Sequence, residues 1–180
     1  MHLRLISEAM VNQVELTESQ TSQLVTSSTC LRDLIDWLDG LGQRASLEII
    51  GEKLLELEIN LEDLVEFLGY TDDGYQRNIV KKTEHYELVL ICWKPGQKTP
   101  IHDHRGSDCA FLILEGISTE SIYNSNDGKL EVSRVRKYLP GEVCAADEPD
   151  IHKISNEEQT NLINLHLYTP PLKNINIYEG

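Results

Sequence analysis

From Thr29 the hydrophobic positions fall into a tight rhythm, with Leu31, Leu34, Ile35 and Leu38 apolar and Asp33, Asp36 and Asp39 between them. Residues three and four apart share one face of a helix, so this spacing predicts an amphipathic helix that Gly40 and Gly42 bring to a stop. Two further helices are predicted over 47–57 and 60–68. In the second, Asn60 stands where a cap is needed, and Leu61, Leu64, Val65 and Leu68 form the apolar face. Residues 29–69 thus read as a helical cap. After the turn cluster Tyr70-Thr71-Asp72-Asp73-Gly74 the rhythm changes to short runs rich in β-branched and aromatic residues. Strands are predicted over 85–94, 109–114, 118–123, 130–139, 142–145, 152–154, 162–168 and 174–178, divided by turn signals such as Pro95-Gly96, Glu115-Gly116 and Pro140-Gly141. Many short strands at this spacing predict a mainly β sandwich or barrel over 75–180. Upstream, residues 1–28 are polar, rich in Ser, Thr and Gln, and weakly periodic. They read as a flexible or loosely docked amino terminus.

Composition narrows the functional classes. At 180 residues the chain suits a single domain with a substantial core. Thirty acidic residues against sixteen basic ones give a formal net charge of -14, which would repel a phosphate backbone and argues against nucleic acid as a partner. There is no basic amphipathic stretch to suit a membrane surface, and no apolar run of transmembrane length or signal-peptide character. The expectation is a cytoplasmic monomer. Cys30, Cys92, Cys109 and Cys144 show no paired spacing and read as free thiols in a reducing compartment.

The candidate chemistry centres on Ile101-His102-Asp103-His104. Two histidines one residue apart on a strand point the same way, so they read either as two half-exposed strand residues or as two metal ligands. Their surroundings favour ligands: Gly96 lies six residues before His102, Cys109 five after His104, and Gly116 seven beyond that. This resembles the first motif of the cupin superfamily, Gly-x5-His-x-His-x4-Glu-x6-Gly, with Cys109 at the glutamate position. Gly141, His152 and Asn156 match part of the second cupin motif, with Asp147 and Pro149 replacing its proline and second glycine. The resemblance implies a jelly-roll β-barrel and a metal set of His102, His104 and His152. Imidazoles suit iron, zinc, copper and nickel alike, so the ligands alone leave a zinc hydrolase open beside an iron oxygenase.

Further strings narrow the resemblance. Tyr75-Gln76-Arg77-Asn78, Ile91-Cys92-Trp93, Ile101-His102-Asp103-His104, Cys109 and Leu165-His166-Leu167-Tyr168-Thr169-Pro170-Pro171 together resemble the cysteine dioxygenases, cupins that use Fe(II) and O2 to oxidise L-cysteine to cysteine sulfinate. The resemblance implies that Arg77 grips the substrate carboxylate, as a guanidinium fork does well, and that Tyr75 borders the pocket. Gln76 matters because members preferring 3-mercaptopropionate usually carry glutamine at the arginine position; the shared Tyr-x-Arg-Asn string puts Arg77 in the pocket. Tyr168 matches the active-site tyrosine, which in many animal members is joined by a thioether to the cysteine at the Cys109 position. His166 reads as the residue that orients it. Asn164 stands where the family often has serine, and period two would let its amide continue a hydrogen-bond chain through His166 to Tyr168. The alternatives are a 3-mercaptopropionate dioxygenase and a cupin that binds a small ligand without catalysis.

Overall fold

The computed structural model describes residues 2–5, 11–126, 128–146 and 151–179. Among these residues twelve strands form two six-stranded sheets. One sheet runs β2 (Asn12–Glu15), β3 (Gln76–Lys82), β4 (Glu87–Trp93), β11 (Leu162–Thr169), β6 (Asp108–Glu115) and β9 (Val143–Ala146). Its partner runs β1 (His2–Leu5), β12 (Asn174–Tyr178), β5 (Ile101–Asp103), β10 (Ile151–Ser155), β7 (Ser118–Asn126) and β8 (Lys129–Tyr138). The pairings are antiparallel except that of β2 with β3. The sheets face one another as an open jelly roll, not a closed barrel.

The two faces of the first sheet bury different things. Leu88 and Leu90 of β4, Ala110 and Leu112 of β6, and Leu165 and Leu167 of β11 pack outward under the helices. The alternate residues, Val89, Ile91 and Trp93, Cys109, Phe111 and Ile113, and Tyr168, point between the sheets. A sheet covered on both faces needs apolar residues at nearly every position, which is why these strands read as unbroken hydrophobic runs. In contrast, β8 is an edge strand exposed along most of its length.

The helical cap comprises α1 (Glu18–Ser27), α2 (Thr29–Leu41), α3 (Leu47–Leu55) and a 3₁₀ helix at Leu61–Phe67. Gly40 lies inside α2; Gly42 ends it, with φ of 58°, a conformation glycine adopts without steric cost. Asn60 caps the last helix as expected, accepting from the Glu62 amide at 3.2 Å, although that helix takes the tighter 3₁₀ form.

The amino-terminal reading is corrected over residues 11–28; residues 6–10 of that stretch lie outside the described residues. Far from being loose, this segment forms β2 and α1. Thr17 and Gln20 make a reciprocal capping box at the start of α1, and Leu24 is fully buried in the core beneath the helices. Two buried leucines, Leu16 and Leu24, and the backbone pairing of β2 with β3 hold a polar segment whose hydrophobic signal is weak. Strands β3 and β5 were also absent from the sequence reading. Among the described residues no helix is long and apolar enough to cross a membrane.

Candidate active site

Strand register brings the three candidate ligands together. His102 on β5 sits directly opposite His152 on β10, and His104 follows just past the end of β5. One ligand atom from each lies within 4.8 Å of the others, the only such cluster of three among the described residues. The His104 and His152 Nε2 atoms are 3.2 Å apart. Two nitrogens bound about 2.1 Å from one ion at a right angle would be separated by about 3 Å, so this spacing suits adjacent ligands of a single ion. The His102 Nδ1–H donates to the Pro100 carbonyl at 3.0 Å and the His152 Nδ1–H to Glu120 Oε1 at 2.9 Å. Each donation fixes the tautomer that leaves Nε2 with a lone pair. The three buried histidines fit a metal site.

Burial, then the neighbouring His152, holds His102 down to about 3. His104 is held well below its ordinary value by the same two causes followed by His102, and His166 by burial and Arg77. All three therefore stay neutral in the folded metal-free protein, whereas an unfolded chain protonates them below about pH 6.5. The unfolded state then binds more protons, and stability must fall as pH drops from there towards 3. We expect denaturant unfolding of metal-free protein to show a loss on the order of 1 kcal/mol per histidine per pH unit below that point. A flat profile between pH 7 and 5 would contradict the buried neutral cluster.

The three histidines share one pocket with Tyr75, Arg77, Cys109, His166 and Tyr168. Arg77, on β3, is 3% exposed and pairs with the equally buried Glu87 of β4 at 3.0 Å. Its NH1 lies 3.5 Å from the Tyr168 hydroxyl, and its guanidinium carbon stands 5.2 Å from the centre of that ring. Burial works against the charge, but Tyr168, Glu87 and Tyr75 together raise the guanidinium above its ordinary value. Its Nε–H has no hydrogen-bond partner among the described residues. Because β3 alternates, Gln76 turns away from the pocket and donates to Asn78 Oδ1 at 2.6 Å. Tyr75 stacks on Trp93 with centroids 4.3 Å apart.

Tyr168 faces Cys109 directly across the β11–β6 pairing. The tyrosine hydroxyl lies 3.2 Å from His166 Nδ1, and the Cys109 sulfur 3.7 Å from the same nitrogen. His166 is itself stacked on Phe111 at 4.5 Å. Burial pushes both the Cys109 thiol and the Tyr168 phenol up, so both carry their protons. The expected continuation through Asn164 is not made: its Oδ1 accepts from the Trp93 indole at 2.6 Å, while Asn164 Nδ2 and His166 Nε2 are both buried without a partner among the described residues. A serine hydroxyl is too short to be drawn away in this manner, whereas the longer amide reaches the indole. Of the second motif, Asn156 donates to the Thr160 carbonyl at 2.8 Å and shapes the turn; Asp147 and Pro149 lie outside the described residues.

Comparison with known proteins agrees with this geometry. A family model described as cysteine dioxygenase type I matches residues 18–180. The chain belongs to that family. Curated relatives named cysteine dioxygenase type 1 include that of Danio rerio, 28% identical over 158 residues and covering 83% of this chain and 79% of the relative. The Homo sapiens protein of the same name is 27% identical over 157 residues, with coverage of 83% and 78%. In fold, the chain is similar to a double-stranded β-helix protein from Klebsiella pneumoniae, with TM-score 0.56, 16% identity and coverage of 69% and 93%. A Thermus thermophilus structure gives TM-score 0.53 at 23% identity, covering 64% of this chain and 99% of the other. These likenesses establish the cupin fold. The chain is thus a cysteine dioxygenase family enzyme whose three-histidine cluster fits a metal site, and Gly116 shows how closely the motif is tied to that fold. It has φ of 78°, and a Cβ there would collide with the backbone of Asn161.

Two residues at the site escaped the sequence reading. Glu87 pairs with Arg77, and Glu120 with His152, both from strands that cross their partners only in the folded sheet. Glu120 is held below the ordinary carboxylate range because its hydrogen bonds, led by that from His152, outweigh a burial that acts to raise it.

Proposed function

We propose that the protein is an Fe(II)-dependent dioxygenase converting L-cysteine and O2 to cysteine sulfinate in a reducing, cytoplasmic setting. The observation that carries this reading is that one pocket joins the three histidines, Tyr168 and the buried cation Arg77. The Tyr168 ring lies 5.6 Å from that of His104 and 5.2 Å from the Arg77 guanidinium. In that pocket a small amino acid would turn its thiol and amine toward the histidines and its carboxylate toward Arg77. Iron, held by His102, His104 and His152, would supply the binding and activation of dioxygen.

The chain's own residues bind and orient. Arg77 grips the carboxylate with its buried guanidinium, held in aim by Glu87. Tyr75, stacked on Trp93, closes the wall beside it. Tyr168 keeps its phenolic proton because of its burial and presents that O–H to the reacting atoms, with His166 fixing its direction. The apolar wall formed by Ile91, Phe111, Leu172 and Ile175 excludes water. The four cysteines are all free thiols, in keeping with a reducing compartment.

Substrate choice tests this reading. L-Cysteine should give a higher kcat/KM than cysteamine, which lacks the carboxylate for Arg77, and than 3-mercaptopropionate, which lacks the amine. Competition assays with the iron-loaded protein measure this ranking. An equal or greater value for 3-mercaptopropionate would overturn the cysteine assignment in favour of that substrate.

A thioether between Cys109 and Tyr168 belongs to the same reading, supported by their direct opposition across two strands. Forming it replaces the S–H and one ring C–H with a C–S bond; two protons and two electrons leave and are accepted by dioxygen. The share of linked peptide should rise with the number of turnovers, and Cys109→Ser should prevent the link while leaving measurable activity. Mass spectrometry that finds only free Cys109 after many turnovers would rule the link out.

A further inference from the structure

The ligand set is neutral throughout, since the position where most cupins carry a glutamate ligand holds Cys109, yet a buried carboxylate stands directly behind one ligand. Glu120, on β7, pairs with Ile154 of β10, and period two places it on the same face as His152, diagonally across the strands. It is 2% exposed. One oxygen accepts the His152 Nδ1–H at 2.9 Å; the other accepts from the Tyr138 hydroxyl at 3.1 Å and the Cys144 thiol at 3.5 Å. Among the described residues no lysine or arginine pairs with it, and the His152 imidazole is the one basic side chain that it contacts. A buried carboxylate surrounded by neutral donors is costly to maintain. A cation on the far side of the His152 ring would relieve that cost.

We propose that Glu120 is the positioning residue of the metal centre: it holds His152 by its Nδ1–H, aims Nε2 at the ion, and supplies through the ring the negative charge that the ligand set lacks. Three neutral imidazoles alone would bind a divalent ion without charge compensation. A carboxylate hydrogen-bonded to a ligating imidazole makes that nitrogen a stronger donor and fixes its orientation, and losing such a partner typically weakens metal binding about 10-fold to 100-fold. Tyr138 and Cys144 tether the second oxygen and prevent the carboxylate from swinging to a ligating position of its own. The inference rests on the metal-centre reading above but not on the identity of the substrate.

The test uses Co(II) as probe, titrated into metal-free protein and followed by its visible absorption. Wild type should bind one equivalent. Glu120→Gln keeps an acceptor for the Nδ1–H and removes the charge, so it should bind about 10-fold to 100-fold more weakly. It should also raise the Fe(III)/Fe(II) midpoint potential, because a nearby anion favours the more positive ion. Tyr138→Phe, which removes a tether and no charge, should stay within about 3-fold of wild type. Wild-type affinity and potential in Glu120→Gln would overturn the proposal, as would equal losses in Glu120→Gln and Tyr138→Phe, which would mark simple packing. Failure of the wild type itself to bind Co(II) would overturn the metal-centre reading and this inference with it. A measurement on the unaltered protein stands independently of variant folding. In Zn(II)-loaded protein with nitrogen-labelled histidine, the His152 proton should reside on Nδ1, in a downfield hydrogen-bonded resonance. A proton on Nε2, with metal on Nδ1, would also overturn the proposal.

Discussion

Replacing His152 with alanine should give a protein that folds, retains no metal through desalting and turns over no thiol. The imidazole holds the centre of the site: it faces His102 across the β5–β10 pairing, lies 3.2 Å from His104 through Nε2 and is anchored by Glu120. Removing it leaves two histidines from one strand segment, without the third that the second strand would supply. It also leaves Glu120 buried with only Tyr138 and Cys144 as donors. The variant should therefore be less stable than wild type, by about 1–3 kcal/mol for a buried acceptor that loses its partner. Metal content by elemental assay and unfolding by circular dichroism report the two effects separately. A His152→Ala protein with full iron and full turnover would show that the ligand assignment is wrong.

Arg77→Ala should have the next largest effect, and it should divide between binding and stability. Loss of the charge-assisted contact to the substrate carboxylate should lower kcat/KM for L-cysteine by about 2–3 kcal/mol, or roughly 30-fold to 150-fold. Cysteamine, with no carboxylate to lose, should be nearly unaffected by the substitution. The same change strands Glu87, leaving it the more distant Lys82 Nζ at 3.6 Å, and breaking a buried pair by removing one partner costs about 3–5 kcal/mol. Because the pair is 3% and 1% exposed, solvent does little to screen this loss. Glu87→Gln should recover much of the stability in the Arg77→Ala background without restoring the affinity for L-cysteine. An equal loss of kcat/KM for cysteamine and L-cysteine would show that Arg77 shapes the pocket but does not bind the carboxylate.

The parts of the fold that were legible are those whose burial is apolar. Strands β4, β6 and β11 announce themselves because one face packs under helices and the other into the interior, so nearly every position must be hydrophobic. The sequence of β3, Gln76-Arg77-Asn78-Ile79-Val80-Lys81-Lys82, hides a largely buried strand, since its polar side chains are satisfied by partners distant in the chain. Arg77 meets Glu87, and Asn78 meets the Leu90 carbonyl and the Cys92 sulfur. Strand β5 is three residues long and too short for any periodicity to register. The α1 segment did carry a local signal, Thr17 followed three residues later by Gln20, but only Leu24 of the helix is buried, so hydrophobic spacing said little.

The site divides in the same way. The three histidines could be found because their spacing within the two motifs survives as a linear pattern. Glu120 could not, because Ser118-Thr119-Glu120-Ser121-Ile122 contains nothing to set one acidic residue apart from twenty-nine others; its role exists only in the register of β7 against β10. Asn164 teaches the converse lesson. Its face was foreseeable from alternation, but its hydrogen bond was not, since the Trp93 indole comes from the neighbouring strand and outcompetes His166 for the amide oxygen.

The proposed function requires this pocket to join an iron site to a carboxylate grip and so oxidise the sulfur of L-cysteine. The direct measurement is oxygen uptake by the purified protein with L-cysteine, run metal-free and after addition of Fe(II) or Zn(II), with the product identified by mass spectrometry. Only the iron-loaded protein should consume oxygen, one molecule per cysteine, and the product should be cysteine sulfinate carrying both atoms of labelled dioxygen. Oxygen uptake restored equally by Zn(II), or cysteine sulfinate lacking one or both labelled atoms, would contradict the account.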